Sequence, residues 1–221
     1  MFYGERITII ENGVNMYTIF IHGLGQTPSS WDQVISFLEV EQIGCPDLFS
    51  FAKGRATTYE NMYQAFRNYC SCFDEPLGLC GISLGAVLAL NYTLEFPQKV
   101  ASLVLIAPQF KTPQLLLRFQ TALFRIMPDS VFRETGIDKE SIILLQKSML
   151  KLNFTPMLNK ITCPTLIICG QNDKINQKAA KELAGQLSNA RFELIENAGH
   201  EVNIDTPKEL AEILNSNFKT G

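Results

Sequence analysis

Histidine is nearly missing from this chain. Two, His22 and His200, occur in 221 residues. A histidine-rich metal site is all but excluded, and a reaction that needs an imidazole base has two places to find one. The six cysteines, Cys45, Cys70, Cys72, Cys80, Cys163 and Cys169, form no C-x-x-C pair and show no zinc-like spacing. Several sit in apolar runs, where free cysteine behaves as a small hydrophobe. They are read as reduced structural thiols. Cationic excess is lacking too. A net charge of −3 provides no basic field for nucleic acid and no polybasic membrane patch. No apolar run is long enough to span a bilayer. The opening residues Met1-Phe2-Tyr3-Gly4-Glu5-Arg6 lack the charged region and apolar stretch of a secretory signal. A cytoplasmic location is the expectation. No internal repeat, low-complexity segment or linker divides the chain.

What is present suits one large domain: 46% hydrophobic and 19% charged residues. Arg6–Ile10 reads as a strand, followed by the turn signal Glu11-Asn12-Gly13. Met16–Ile21 is a fully apolar strand running into His22-Gly23-Leu24-Gly25. Ser29 or Ser30 can cap a helix through Trp31, Val34, Ile35 and Leu38. A short strand falls within Glu41–Leu48, and a helix over Thr58–Cys70. Then come strand Pro76–Cys80, helix Leu84–Phe96 and strand Val100–Ile106. From Gln109 to about Lys160 strand signals stop, and two helices are expected, Pro113–Met127 and Asp138–Leu152. Alternation resumes with strand Pro164–Cys169, helix Asn176–Leu187, strand Arg191–Ile195 and helix Pro207–Phe218. Continuous apolar strands alternating with helices give an α/β class. A mostly parallel central sheet is covered on both faces, with a small helical insertion.

One stretch carries chemistry. Gly81-Ile82-Ser83-Leu84-Gly85 is the G-x-S-x-G pattern of a nucleophile elbow, between an apolar strand and an apolar helix. A serine hydroxyl attacks well only when it is held proud of the surface beside a base. A sharp strand-to-helix turn does this, and glycines at 81 and 85 let strand and helix approach. N–H groups at the helix start add positive potential where an oxyanion would form. Alone, the same pattern also describes a tight turn with a capping serine.

A serine nucleophile needs an imidazole base, and the base needs an acid that fixes its tautomer. His200 lies in Asn197-Ala198-Gly199-His200, between the last strand and the last helix. Asp173 lies in Gly170-Gln171-Asn172-Asp173, just past strand Pro164–Cys169. Ser83, Asp173 and His200 therefore all follow the C-terminal ends of parallel strands, where open α/β sheets place their sites. Glu196, Glu201 and Asp205 are further candidates for the acid.

With these motifs in this order, the chain resembles the α/β-hydrolase superfamily over almost its whole length. The resemblance rests on His22-Gly23-Leu24-Gly25, Gly81–Gly85, Gly170–Asp173 and Gly199-His200. It implies Ser83 as nucleophile, His200 as base and Asp173 as orienting acid. It implies backbone N–H groups of Leu24 and Leu84 as the oxyanion hole. It makes 109–160 a lid, or cap, on a core of 1–108 and 161–221. His22 is expected to brace the oxyanion loop. Ala86 stands where many relatives carry a second glycine.

The implied activity is hydrolysis of an ester or thioester of a small-to-medium acyl group through an acyl-enzyme, with no metal or organic cofactor. The implied partner is a small-molecule acyl substrate. Two other readings stay open. One is a triad-dependent lyase of the menaquinone-synthesis type, whose polyanionic substrate needs inward-facing cations, here Lys111, Arg118 and Arg125. The other is a non-catalytic ligand-binding or sensing protein. Leu115, Leu116, Phe119, Leu123, Phe124, Ile126 and Met127 form either core or the wall of an acyl pocket, with Phe119 and Leu123 named for substrate binding. Lys111, Arg118 and Arg125 form either a solvated face or an anion contact.

Overall fold

The central apolar runs become neighbouring strands of one sheet because both sides of each are apolar, and the last strand, with Arg191 and Glu193 on one side, takes an edge. The computed structural model describes residues 16–40, 42–52, 54–128 and 137–220. The expected strand Arg6–Ile10 and its turn lie outside them. Six strands, β1 (Thr18–Ile21), β2 (Ile43–Gly44), β3 (Leu77–Ile82), β4 (Val100–Ile106), β5 (Thr165–Gly170) and β6 (Ala190–Ile195), lie in the order β2-β1-β3-β4-β5-β6. Every pairing is parallel. Side chains alternate between two cores, as the two-residue period of a strand requires. Ile19, Ile21, Leu79, Leu103 and Ile167 point to one. Phe20, Cys80, Val104 and Leu166 point to the other.

Helices close each face. α2 (Tyr59–Cys70), α3 (Leu84–Glu95) and α6 (Lys174–Gln186) cover the first. α1 (Asp32–Ser36), a short α7 (Val202–Asp205) and α8 (Pro207–Thr220) cover the second. Thr58 caps α2 by accepting the Asn61 N–H at 3.2 Å, and Asp138 caps α5 (Lys139–Met149) at Ser141. The start of α1 departs from expectation. Pro28 opens a tight turn over Pro28–Trp31, and Ser30 Oγ accepts the Thr27 N–H at 3.3 Å inside that turn. The regular helix therefore begins only at Asp32. The strand expected within 41–48 is reduced to Ile43–Gly44 at the sheet edge.

Between β4 and β5 run α4 (Gln114–Ile126) and α5. The only pairing there among the described residues is an isolated bridge, Lys111 to Asn153. α5 is tied to the body: Ser148 Oγ accepts the Tyr59 N–H at 2.8 Å, and Leu145 joins the first core. α4 packs on α5.

The strand order reverses between β1 and β3, since β1 is followed on one side by β2 and on the other by β3. Such a switch point opens a crevice beyond the C-terminal strand ends. The loops at 22–26 and at Ser83 both leave the sheet there.

Candidate active site

Ser83 is fixed by backbone shape before any side chain acts. Its φ of 53° and ψ of −112° put a non-glycine residue in a sparsely populated region. The turn is held because the Ser83 N–H donates to Ile106 O at 2.9 Å and the Ser83 carbonyl accepts the Val87 N–H at 3.1 Å. Glycine at 85 is obligatory. A Cβ there would lie 2.1 Å from Ile21 O, backbone that cannot give way. That contact seats α3 directly against the end of β1. Ala107 and Asn197 also have positive φ, 48° and 58°, so three strained residues lie at the C-terminal ends of β3, β4 and β6.

His200 Nδ1 lies 2.7 Å from Asp173 Oδ2. Asp173 is buried and is the N-cap of α6, where its Oδ1 accepts the Asn176 N–H at 3.3 Å. One carboxylate therefore both caps α6 and holds the His200 ring. Burial pushes its pKa up. Hydrogen bonds from His200 and Asn176, with the His200 charge, outweigh that and hold it below the ordinary carboxylate value. The Asn176 amide donates to Asp173 Oδ1 at 2.9 Å and to Oδ2 at 2.8 Å. Gln109 Nε2 donates to Asn176 Oδ1 at 2.6 Å, which fixes the amide's orientation. The other acids are engaged elsewhere. Asp205 Oδ2 accepts the Gly199 N–H at 2.7 Å, and Glu201 Oε1 accepts Gln26 Nε2 at 3.0 Å.

The loop after β1 is held from beneath. His22 is fully buried; its Nδ1–H donates to Gly23 O at 2.9 Å, and its Nε2 accepts the Leu48 N–H at 3.1 Å. Burial lowers its pKa, against smaller raising contributions from the Gly23 carbonyl and Asp47, so it stays neutral. Gln26 Oε1 accepts the Gly23 N–H at 3.1 Å. Leu84 opens α3, so its N–H has no intrahelical partner.

Ser83, Asp173, His200, Leu24 and Leu84 all border one cavity of about 720 Å³. The rest of its wall is mostly apolar: Val87, Leu117, Phe124, Met127, Ile142 and Met149. No lysine or arginine among the described residues lines it. Among the described residues no hydrogen bond joins Ser83 to His200. Bonds of this kind are often long before substrate binds.

The expected apolar stripe on α4 divides. Phe124 and Met127 face the cavity, but Leu115 and Ile126 are 85% and 80% exposed and line nothing. The split stripe fits a helix touching its neighbour on one side only. The side chains of Leu116, Phe119 and Leu123 lie outside the described part of the structure. Lys111, Arg118 and Arg125 are exposed and stand outside the cavity. Among the cysteines, Cys72 is exposed, which departs from a purely structural role.

Sequence reading misses Asn176, Gln109, Gln26 and Asn203. Asn176 had a local signal, three residues after a capping aspartate. The others meet their partners only through the fold. Among the described residues no three histidine, cysteine or acidic side chains are grouped so as to hold a metal ion.

The sequence profile of the alpha/beta hydrolase family matches residues 18–213. The chain belongs to the α/β-hydrolase family. It is an enzyme of that fold. Monoacylglycerol lipase ABHD6 of Homo sapiens is 22% identical over 253 aligned residues, covering 89% of this chain and 73% of the lipase. A putative 2-succinyl-6-hydroxy-2,4-cyclohexadiene-1-carboxylate synthase of Bacillus subtilis is 22% identical, covering 98% of this chain and 96% of the synthase. A thermophilic esterase from Thermogutta terrifontis superposes with a TM-score of 0.78 at 19% identity, covering 94% of this α/β hydrolase and 91% of the esterase. No helix among the described residues is long and apolar enough to cross a membrane.

Proposed function

We propose that this α/β hydrolase cleaves an ester or thioester of a small-to-medium acyl group through a Ser83–His200–Asp173 triad. The observation that carries the reading is the meeting of Ser83, His200 and the His200-bonded Asp173 at the wall of one apolar cavity. With His200 Nδ1–H donating to Asp173, Nε2 is left as a base. Ser83 Oγ attacks the carbonyl carbon while its proton passes to Nε2. The developing oxyanion takes hydrogen bonds from the N–H groups of Leu24 and Leu84, roughly 3 kcal/mol for each donor. The imidazolium gives its proton to the departing alcohol or thiol, leaving an acyl-serine. Water then attacks, loses a proton to His200 and frees the acid and Ser83. Asp173, already held ionised, stabilises the imidazolium in both halves. Every step uses groups of this chain.

The segment 109–160 is read as a lid on a core of 1–108 and 161–221, since α4 and α5 supply the wall facing Ser83. Free thiols suit a reducing compartment, which supports a cytoplasmic location. The substrate is a small molecule of moderate length, in keeping with the cavity volume.

Fluorophosphonate labelling with a Ser83→Ala control tests the assignment. Labelling of the parent alone is expected, and equal labelling of both would overturn it. A p-nitrophenyl ester series from acetate to palmitate then gives the chain length. The lyase reading draws on the resemblance to the Bacillus synthase. A polyanion in a cavity without a described cation is strongly disfavoured, so hydrolysis is preferred.

A further inference from the structure

Beyond the triad and the side chains bonded to it, the cavity wall carries three polar side chains, Thr112, Gln120 and Gln146, of which only Gln146 is buried. Gln146 sits on the face of α5 that also carries Ile142, Leu145 and Met149, spaced as one helical stripe. Three of these are what an apolar wall requires. The fourth is an amide, 2% exposed, and it borders the same cavity as Ser83.

An amide offers two N–H donors and a carbonyl with two lone pairs. Among the described residues Gln146 has one hydrogen-bond partner, the Thr121 hydroxyl on α4, 3.0 Å from its Oε1. The Thr121 oxygen also lies 2.7 Å from Leu117 O, and its single hydrogen can serve only one of the two. If it serves Gln146, the amide N–H groups face the cavity. If it serves Leu117, the amide turns its N–H to Thr121, and its carbonyl faces the cavity. Both arrangements leave one polar end of the amide, on the wall of the cavity, without a protein partner among the described residues. A buried group left so is unfavourable unless something else satisfies it.

We propose that Gln146, pinned by Thr121, is a specificity-determining subsite that takes a hydroxyl group on the substrate. A hydroxyl both donates and accepts, so it matches the amide in either orientation. Gln146 belongs to the helical wall, not to the strand ends that carry Ser83. The group it reads is therefore separate from the scissile carbonyl, on the chain that fills the cavity. The substrate class narrows to esters of a medium-length chain bearing a neutral hydroxyl. This rests on the hydrolase reading above for the reaction, but not for the binding.

The test pairs turnover with binding. p-Nitrophenyl octanoate is compared with a set of hydroxyoctanoate esters that differ only in hydroxyl position. The measured quantity is the ratio of kcat/KM for hydroxylated over plain ester. One position is expected to stand out in the parent, and Gln146→Met to lower its ratio by about ten-fold or more. Gln146→Leu is the second variant should Gln146→Met fold poorly. The exposed neighbour change Lys147→Ala is expected to keep the parental ratio. In parallel, calorimetry with 1-octanol and octanediols, which do not react, reads binding alone. Preference for one diol, lost in Gln146→Met, supports the subsite even if no ester is cleaved; in that case only the hydrolase reading falls. Cleavage of the esters with the same ratio at every position in parent and variant, and equal binding of alcohol and diols, overturns the subsite.

Discussion

Gln26 Nε2 donates to Asn203 Oδ1 across 3.1 Å, joining the loop after β1 to α7, the short helix that follows His200. Both side chains are buried. Asn203 Nδ2 returns a bond to Gln26 Oε1 at 3.4 Å and donates to Ser30 O at 3.0 Å. With the Gly23 N–H and Glu201 also bound, every hydrogen-bonding position of the Gln26 amide is used. The loop that carries Leu24 and the short helix just after His200 are thus held in register by a buried amide pair.

Breaking that clasp strands a buried amide. Asn203→Leu is expected to lower stability by about 1–3 kcal/mol. Because it separates the loop proposed to hold the oxyanion from the proposed base, kcat is expected to fall with little change in KM. Urea unfolding read by the single tryptophan, Trp31, which is fully buried against Phe20, measures the first effect. Steady-state kinetics measure the second.

Removing the carboxylate charge of Asp173 tests its part in the reaction. Asp173→Asn keeps the shape but offers His200 Nδ1 an amide, which favours the wrong tautomer. A fall in kcat of about 10⁴-fold is expected. A fall of less than about ten-fold would assign the orienting role to another acid.

Backbone contact makes two glycines opposite in effect. A Cβ on Gly170 would lie 2.0 Å from Gly199 O and 2.5 Å from Ala198 O, so Gly170→Ala must push the His200 loop away. Loss of activity together with a lower Tm is expected. A Cβ on Gly185, inside α6, meets nothing within 4 Å. Gly185→Ala is expected to raise stability by about 0.5–1 kcal/mol with activity intact.

Acid acts through His22. Its folded pKa is depressed by burial below the ordinary value of about 6.5. Above that value both folded and unfolded chains hold it neutral, and it adds no pH dependence. Below it the unfolded chain takes up a proton that the folded chain refuses, so stability falls as pH falls. The slope from this one group is at most about 1.4 kcal/mol per pH unit. Unfolding midpoints between pH 8 and 5 in the parent and in His22→Gln check it: the parent is expected to lose more on acidification.

Much of this was legible in the sequence because the signals are local. Val100–Ile106 is a strand from end to end as its apolar run indicates, and α3 stops at the residue before Phe96-Pro97. Gly81–Gly85, Asp173 and Gly199-His200 each announce themselves within a few residues of chain. What was not legible needs two distant segments at once. Gln26 and Asn203 are 177 positions apart, and neither residue type is unusual in a loop. Gln146 looks like an ordinary helix surface residue until α4 covers it. The α4 stripe misled for the complementary reason: periodicity shows that a face exists, not which neighbour it meets. Leu115 and Ile126 face outward on that account.

Ser83, Ala107 and Asn197 are the non-glycine residues with positive φ among those described, and all stand at one rim of the sheet. At Ser83, the proposed nucleophile, durability and turnover are therefore set against each other. Glycine at any of the three relieves the backbone, and a library of random variants sorted only by survival of heat is expected to accumulate it there. Survivors changed at position 83 would outlast the parent and do nothing.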